Sequence, residues 1–324
     1  MLTEKKLRQW VVLGTGGTIA GTASHAGEHT GYRAAQLGVQ ALLESVPGLA
    51  EALQGETLLA EQVAQLDSKD MDAATWQVLA QRCQHWLAQP EVGGLLITHG
   101  TDTLEETAWF LQQVLPGDKP VVLTCAMRPA TALMADGPQN LLDALAVLRS
   151  PQARGVLVVC AGRVHTARAV QKVHPYRLDA FSSGEAGPCG WVEQGQPRWA
   201  AHGAPAPSDD RHHPARAAAA LSRPVADWPW VAVLHSHAGV DARQVQALVA
   251  AGVRGLVVAG TGNGTLAASW AQALAQAERA GVTVRLCSRC SQGQVVGTPE
   301  GPALAPAGLN AYKARISLML ELMA

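Results

Sequence analysis

Short, uninterrupted apolar runs that alternate with longer helical patterns constrain the fold of this chain most strongly. The runs are rich in Val, Leu and Ile, as expected for parallel strands that helices cover on both faces. We predict strands at 10–13, 94–98, 121–124, 155–160, 231–235, 255–259 and 282–286, and helices at 72–86, 105–115, 141–148, 242–250 and 266–280. This order predicts an α/β fold with a mainly parallel sheet flanked by helices.

A change in composition divides the chain into two parts. Residues 201–229 hold five prolines among Ala, Ser and Asp, which is typical of a linker. We predict an N-terminal catalytic α/β domain at 1–204, a linker at 205–229 with one short helix at 216–221, and a smaller C-terminal α/β domain at 230–324. A chain of 324 residues is long enough for two such cores.

Charge and cysteine content exclude several classes of partner. The formal net charge is −1, so there is no electrostatic case for nucleic acid or a membrane surface, and we expect a small-molecule partner. The apolar stretch 10–13 is too short for a signal-peptide core, so we expect a cytoplasmic location. The six cysteines are dispersed and are predicted to be reduced, buried thiols. The lone C-x-x-C at 287–290 and the scattered histidines predict no metal site.

The first candidate loop follows the strand at 10–13 and reads Gly-Thr-Gly-Gly-Thr-Ile-Ala-Gly over residues 14–21. In open α/β sheets ligands bind outside the carboxyl ends of the strands, so this position favours a site. The loop lacks the third glycine of a dinucleotide fingerprint and the Gly-Lys-Ser/Thr ending of a phosphate loop. It presents the hydroxyl of Thr18 on flexible glycines instead. A purely structural turn is the other interpretation that this loop alone permits.

The second candidate loop follows the strand at 94–98 and reads Thr-His-Gly-Thr-Asp-Thr over residues 98–103. Residues 103–106, Thr-Leu-Glu-Glu, form a capping-box pattern, so we expect a helix to begin there. Thr101 and Asp102 therefore lie between a strand end and a helix N-terminus, where backbone N–H groups favour a substrate carboxylate or a developing oxyanion. We interpret His99 as a packing and hydrogen-bonding residue rather than a base.

Both loops resemble the signature motifs of the bacterial-type L-asparaginase family. Residues 15–21, Thr-Gly-Gly-Thr-Ile-Ala-Gly, and 97–107, Ile-Thr-His-Gly-Thr-Asp-Thr-Leu-Glu-Glu-Thr, carry the resemblance, which continues at 125–129, 135–138, 155–159, 259–264 and 313–315. It implies hydrolysis of L-asparagine to L-aspartate and ammonia, often with some glutaminase activity, without a metal or organic cofactor. It also implies a homotetramer built as a dimer of close dimers.

The resemblance assigns catalytic roles by position. Thr18 matches the nucleophile, and Tyr32, on the loop that follows, matches the tyrosine that helps to activate it. Thr101 matches the second catalytic threonine, which orients or activates water, and Asp102 matches the substrate-binding acid. Lys172 matches the catalytic lysine. Such chemistry is coherent in itself, because a threonine hydroxyl is a poor nucleophile at neutral pH and needs a positioned proton acceptor.

Further residues are assigned to substrate binding by the same resemblance. Ser68 matches the serine that holds the substrate α-carboxylate, beside Thr101 and Asp102. Asn263 resembles an asparagine that a neighbouring subunit contributes, and Glu300 aligns with a glutamate that contacts the α-amino group across that interface. Lys69 departs from the pattern, since periplasmic members of the family usually carry glutamine there. Its cation reaches the substrate carboxylate or points away, so the preference for asparagine or glutamine stays open.

Two other functions stay open from sequence. A related amidotransferase subunit releases ammonia from glutamine for tRNA-dependent amidation, but it carries an extra N-terminal domain that we do not expect here, because few residues precede Trp10. A non-catalytic amino-acid-binding or sensor module would share the fold, but binding alone has no need of two hydroxyls and a lysine. An assay of ammonia release from asparagine and glutamine separates these functions.

Overall fold

Two compact units make up the chain, Met1–His212 and His213–Ala324. The structure is a computed structural model that describes residues 8–201, 213–297, 301–306 and 308–324. The predicted α/β class is confirmed, with a large, mostly parallel sheet flanked by helices in the first unit and a smaller α/β arrangement in the second.

An eight-stranded sheet organises the first unit. Its strand order is β10-β9-β6-β5-β4-β3-β1-β2, with parallel pairing from β2 through β5 and antiparallel pairing from β5 to β10. Strands β7 and β8 form a separate two-stranded hairpin. The strands of this unit are β1 Gln9–Gly16, β2 Thr57–Leu66, β3 Val92–Thr98, β4 Val121–Thr124, β5 Val156–Cys160, β6 Arg163–Thr166, β7 Gln171–Lys172, β8 Phe181–Ser182, β9 Gly190–Glu193 and β10 Gln196–Trp199.

Helices bury the central parallel strands on both faces. The helices of this unit are α1 Val39–Glu44, α2 Leu49–Leu53, α3 Ala73–Leu87, α4 Leu104–Val114 and α5 Gly137–Arg149. On one face, Leu141, Leu145 and Leu148 of α5 pack with alternate residues of the strands, such as Val12 and Val159. Helices α3 and α4 pack against each other, with the rings of Trp76 and Phe110 stacked 5.0 Å apart. Burial on both faces explains why these strands are continuous apolar runs.

The second unit is built on three parallel strands in the order β11-β12-β13. Its elements are α6 Pro214–Ser222, β11 Val231–His235, α7 Arg243–Ala250, β12 Gly255–Gly260, α8 Ala268–Arg279, β13 Thr283–Ser288 and α9 Ala311–Glu321. The core lies between this sheet and the helices, with Trp270 of α8 and Leu256 of β12 fully buried. Helix α6 lies in the segment predicted as a linker and packs on α9.

The state of the cysteines matches the sequence prediction in part. All six thiols are free, and five are buried, whereas Cys290 is exposed. Within the described residues no group of three or more His, Cys, Asp or Glu side chains is arranged to hold a metal ion. Among the helices of the same residues, none has the length and apolar character to cross a membrane.

Candidate active site

The candidate residues of the first unit gather where three parallel strands end. In the sheet order β3-β1-β2, Thr18 follows β1, Ser68 follows β2, and Thr101 follows β3. The chain leaves β1 for β2 on one side and then crosses to β3 on the other, so the connections change direction at β1. A crevice at the carboxyl ends of strands forms at such a switch point, and it is the usual ligand site of open α/β sheets.

Backbone contact between Gly17 and Gly100 joins the two threonine loops. A Cβ atom at Gly17 would lie 2.3 Å from the Cα of Gly100, and Gly17 has a φ of +81° that favours glycine. A Cβ atom at Gly100 would lie 2.5 Å from the Oγ of Ser68. Only glycine fits at either position without movement of the loops. The two hydroxyl-bearing residues, Thr18 and Thr101, each follow one of these glycines directly.

Thr18 is paired with Tyr32. The two hydroxyl oxygens lie 2.6 Å apart, and either group can be the donor. Backbone hydrogen bonds between Thr22 and Arg33 close the intervening loop and return Tyr32 to the threonine. Burial raises the pKa of the Tyr32 phenol above its usual value, although the hydrogen bond with Thr18 opposes this. The phenol is therefore neutral at physiological pH, and it can accept a proton from Thr18 only while it passes on its own.

Thr101 is paired with Lys172. The Nζ atom of Lys172 donates to Thr101 Oγ1 at 2.8 Å and to Asp102 Oδ1 at 2.6 Å. The lysine side chain is only 18% exposed and the aspartate 52% exposed, so the carboxylate faces solvent while the ammonium is largely covered. The backbone of Lys172 is also fixed, because its N–H donates to the Oε2 atom of Glu105. Sequence reasoning treated Glu105 only as part of a helix cap and missed this contact.

Ser68 ties the end of β2 to the second loop. Its side chain is buried, and its Oγ accepts a hydrogen bond of 3.1 Å from the backbone N–H of Asp102. Its carbonyl accepts one of 2.7 Å from the hydroxyl of Thr103. The predicted helix start is correct, since α4 begins at Leu104, but the capping box predicted at residues 103–106 does not form. The Thr103 side chain makes no cap, because its hydroxyl is committed to Ser68.

Lys69 points to its own neighbours. Its Nζ lies 2.6 Å from a carboxylate oxygen of Asp67 and 3.3 Å from one of Asp70, and its side chain is 61% exposed. Of the two orientations considered from sequence, this geometry favours the cation turned to the flanking carboxylates. Asp67 and Asp70 thus neutralise much of the charge that Lys69 introduces beside Ser68.

The two remaining predicted residues are Asn263 and Glu300. Asn263 belongs to the second unit, where its exposed side chain exchanges two hydrogen bonds of 2.8 Å with the backbone of Val296. This pairing fixes the loop after β12. Glu300 lies outside the described residues.

Backbone N–H groups complete the chemistry of the cluster. Within the part of the chain that the structure describes, the N–H groups of Gly100 and Thr101 have no hydrogen-bond acceptor. Free N–H groups beside a hydroxyl can stabilise negative charge on a carbonyl oxygen under attack. The site therefore offers two threonine hydroxyls, a covered ammonium, an exposed carboxylate and free N–H donors, a combination that suits acyl transfer from a substrate with an amino group.

Comparison with known proteins agrees with this geometry. Residues 10–204 match the family model described as Asparaginase, N-terminal, and residues 230–324 match the Glutaminase/Asparaginase C-terminal domain. The chain is 36% identical to "L-asparaginase 2" of Bacillus subtilis over 98% of its own length and 84% of that protein. It is 35% identical to "Glutaminase-asparaginase" of Pseudomonas fluorescens over 99% and 88%.

Structural comparison gives the same family. The crystal structure of a probable cytoplasmic L-asparaginase from Campylobacter jejuni has a TM-score of 0.88 to this chain at 34% sequence identity. The superposition covers 97% of this chain and 95% of that one, so the likeness includes both units and not the first sheet alone.

Proposed function

The chain belongs to the bacterial-type L-asparaginase family, and on that premise we propose that it hydrolyses L-asparagine to L-aspartate and ammonia. The observation that carries the proposal is the convergence of the two threonine loops at the Gly17–Gly100 contact, with Lys172 hydrogen-bonded to Thr101. Relatives named for glutaminase as well as asparaginase activity support L-glutamine as a second substrate.

Thr18 is the proposed nucleophile of the first step. Its oxygen attacks the side-chain amide carbon, and its proton passes to the phenol oxygen of Tyr32, 2.6 Å away, as the phenol releases its own proton towards the leaving nitrogen. The C–N bond breaks, ammonia leaves, and an aspartyl ester remains on Thr18. The neutral state of the half-buried phenol supports a relay of this kind rather than attack assisted by a phenolate.

Thr101 and Lys172 serve the second step. A water molecule held by the Thr101 hydroxyl attacks the ester carbonyl, and Lys172 orients that hydroxyl through their 2.8 Å hydrogen bond. The bond between the carbonyl carbon and the Thr18 oxygen breaks, a proton of the water passes through Tyr32 to that oxygen, and L-aspartate leaves. The free N–H of Thr101 stabilises the oxyanion in both steps. Asp102, whose carboxylate is exposed beside the lysine, receives the substrate ammonium, and Ser68 and nearby backbone N–H groups receive the α-carboxylate.

Ammonia release by purified protein tests the activity. We expect turnover of L-asparagine, slower turnover of L-glutamine and none of D-asparagine. Absence of ammonia from both L-amides would refute the enzymatic function and favour a binding or sensor module. Turnover of glutamine without asparagine would favour the amidotransferase-type reaction instead.

Two matched variants test the order of the threonines. Thr18→Ala and Thr101→Val are each expected to lower kcat by about 10³-fold or more while the protein stays folded. Thr101→Val should accumulate an aspartyl ester on Thr18, visible as an adduct in the intact-mass spectrum. An adduct on Thr101 in the Thr18→Ala variant would assign the first attack to the other threonine.

Self-association as a homotetramer, a dimer of close dimers, is also proposed. The exposed apolar side chains of the first unit include Leu133 at 82%, Met134 at 68% and Val173 at 52%, and a second copy of the chain would cover them. Asn263 and Glu300 would then serve the site of a neighbouring subunit, as the family resemblance implies. Light scattering should give a tetramer, and Leu133→Glu with Met134→Glu should reduce its order; a fully active monomer would exclude shared sites.

A cytoplasmic location is proposed as well. The Campylobacter jejuni relative is described as a probable cytoplasmic enzyme, whereas a Haemophilus influenzae relative at 33% identity is described as a probable periplasmic one. Fractionation of cells that express the protein should recover activity with the cytoplasm, and recovery in an osmotic-shock fluid would contradict this.

A further inference from the structure

A buried hydrogen-bonded chain runs behind the second threonine loop. The Nδ1 atom of His99 lies 2.7 Å from the carbonyl oxygen of Gly100, and its Nε2 atom lies 3.0 Å from Thr107 Oγ1. That hydroxyl oxygen lies 2.9 Å from Nε1 of Trp76. His99 and Thr107 are fully buried and Trp76 is nearly so. We call these three side chains and the Gly100 carbonyl the His99 chain.

The direction of every hydrogen bond in the His99 chain is determined. A carbonyl oxygen only accepts, so Nδ1 of His99 carries a proton. Burial lowers the pKa of His99 to about 4, so the ring is neutral and Nε2 is bare. Thr107 must therefore donate to Nε2, and its oxygen accepts from the indole N–H of Trp76, which only donates. The chain runs from Trp76 through Thr107 and His99 to the Gly100 carbonyl.

This fixed carbonyl determines where the next N–H points. No cis peptide bond occurs in the described residues, so the Gly100–Thr101 peptide is planar and trans, with its C=O and N–H on opposite sides. Because the carbonyl is held on the side of the buried imidazole, the N–H of Thr101 points away from it. That N–H has no acceptor among the described residues, so it is available to a ligand.

The glycine makes such an anchor necessary. Gly100 cannot carry a side chain, because a Cβ would lie 2.5 Å from Ser68 Oγ and 3.1 Å from the Cα of Gly17. Glycine has the widest range of backbone conformations, so its own dihedral preferences do not orient the following peptide. Position 100 therefore has room only for glycine, and a neighbouring group must set the orientation of the peptide that follows it.

We propose that His99 is a positioning residue, which holds the Gly100 carbonyl through Nδ1–H and thereby aims the Thr101 N–H at the substrate carbonyl oxygen. This rests on the proposed amide hydrolysis, since the oxyanion of that reaction is the group that the N–H would meet. His99 does not exchange protons in this role. His99 stabilises the transition state, in which the oxyanion develops, more than it stabilises the bound substrate.

Two substitutions of His99 distinguish the loss of the Nδ1–H donor from the loss of the imidazole ring. His99→Asn places an amide N–H near the position of Nδ1 and keeps a donor for Gly100, whereas His99→Gln places its amide near Nε2 and loses that donor. We expect His99→Gln to lower kcat by about 10- to 100-fold with KM changed less than about 3-fold, since misplacement of an oxyanion donor costs transition-state stabilisation. His99→Asn should keep at least about a third of kcat.

A control variant accounts for the cost of replacing any buried histidine. His165, on β6, is also nearly fully buried and hydrogen-bonds Ser183 through Nδ1 at 2.8 Å. His165→Gln should lower thermal stability with kcat within about twofold of the wild type. Equal loss of kcat in His99→Asn and His99→Gln, or wild-type kcat in His99→Gln, would overturn the positioning role.

The tautomer of His99 gives a readout that needs neither activity nor a variant. ¹⁵N NMR of histidine-labelled wild-type protein, with the ring resonances of His99 assigned through their correlations to its backbone, should show a protonated Nδ1 and a bare Nε2. The Nε2–H tautomer would overturn the proposal even if no variant folds. If the wild type releases no ammonia, the proposed function fails while the tautomer still decides whether His99 holds the Gly100 carbonyl.

Discussion

The contact between Gly17 and Gly100 makes a quantitative prediction for Gly17→Ala. The added Cβ would lie 2.3 Å from Gly100 Cα and 2.4 Å from Gly100 N, whereas ordinary contacts of a Cβ begin at 3.4 Å. Both neighbours are backbone atoms, so no side chain can rotate away, and the two loops must separate by about 1 Å. A misplacement of about 1 Å between catalytic groups costs on the order of 10²-fold in rate.

A control variant at a second glycine distinguishes the effect of loop displacement from the effect of backbone strain. Gly17 has a φ of +81° and a ψ of −172°, and Gly187 has a φ of +65° and a ψ of 170°, so alanine is strained at both positions by about 1–3 kcal/mol. A Cβ at Gly187, however, meets nothing within 4 Å. Gly187→Ala should therefore lose stability and keep its activity, whereas Gly17→Ala should lose about 1–3 kcal/mol more and about 10²-fold in kcat/KM.

Ammonia release and urea denaturation, measured on both glycine variants and the wild type, test this reasoning. A Gly17→Ala protein with more than about a third of wild-type kcat/KM and the same urea midpoint as Gly187→Ala would show that the loops do not need this contact. Activity lost equally in both variants would attribute the effect to general destabilisation instead.

Three further predictions follow from single side chains. The pKa of His99 is about 4 in the folded chain and ~6.5 when unfolded, so burial of the neutral ring stabilises the fold fully above pH 6.5. This contribution, about 3 kcal/mol, is lost as the pH falls from 6.5 to 4. His99→Gln should therefore show a smaller drop in urea midpoint between pH 7 and pH 4 than the wild type, and an unchanged drop would contradict the burial argument. Lys69→Ala should leave kcat/KM for L-asparagine within about threefold, because that cation pairs with its flanking carboxylates, and a tenfold rise in KM would show that it reaches the substrate. Glu105→Ala should lower kcat by about tenfold, whereas Glu105→Gln should retain most of the wild-type kcat because it keeps an acceptor for the backbone N–H of Lys172. Equal losses of kcat in the two variants would show that this hydrogen bond does not contribute to catalysis.

How far the sequence predicted the fold depended on burial. The fully buried strands β4, β5 and β12 were predicted within one residue of their observed bounds, because the interior of each is an unbroken run of apolar residues. Strand β2, at the edge of the sheet, was missed, since it is only partly buried and carries Glu and Gln among its apolar residues. The short antiparallel strands β6, β9 and β10 were missed because they are brief and polar.

The missed edge strand had a direct consequence for the site. Ser68 follows β2, so its place beside Asp102 depends on a strand that the apolar pattern did not predict. Motif resemblance assigned Ser68 a role, yet it could not show that its Oγ accepts the Asp102 N–H. The prediction of a capping box failed for a related reason, because the hydroxyl of Thr103 has an alternative partner that comes from a distant part of the sequence.

Strand order explains why these distant segments meet. Loops that follow β1 and β3 are about eighty residues apart in the chain, but the two strands are neighbours in the sheet and their ends face one crevice. The apolar runs predict that both strands are buried and parallel, but they do not predict which strands are neighbours in the sheet. That order brings Gly17 against Gly100, and the lack of a side chain at both positions permits the approach of Thr18 to Thr101. The glycines in the two motifs are thus requirements of sheet topology as much as of catalysis, which is why a single added methyl group is expected to disable the site without touching either threonine.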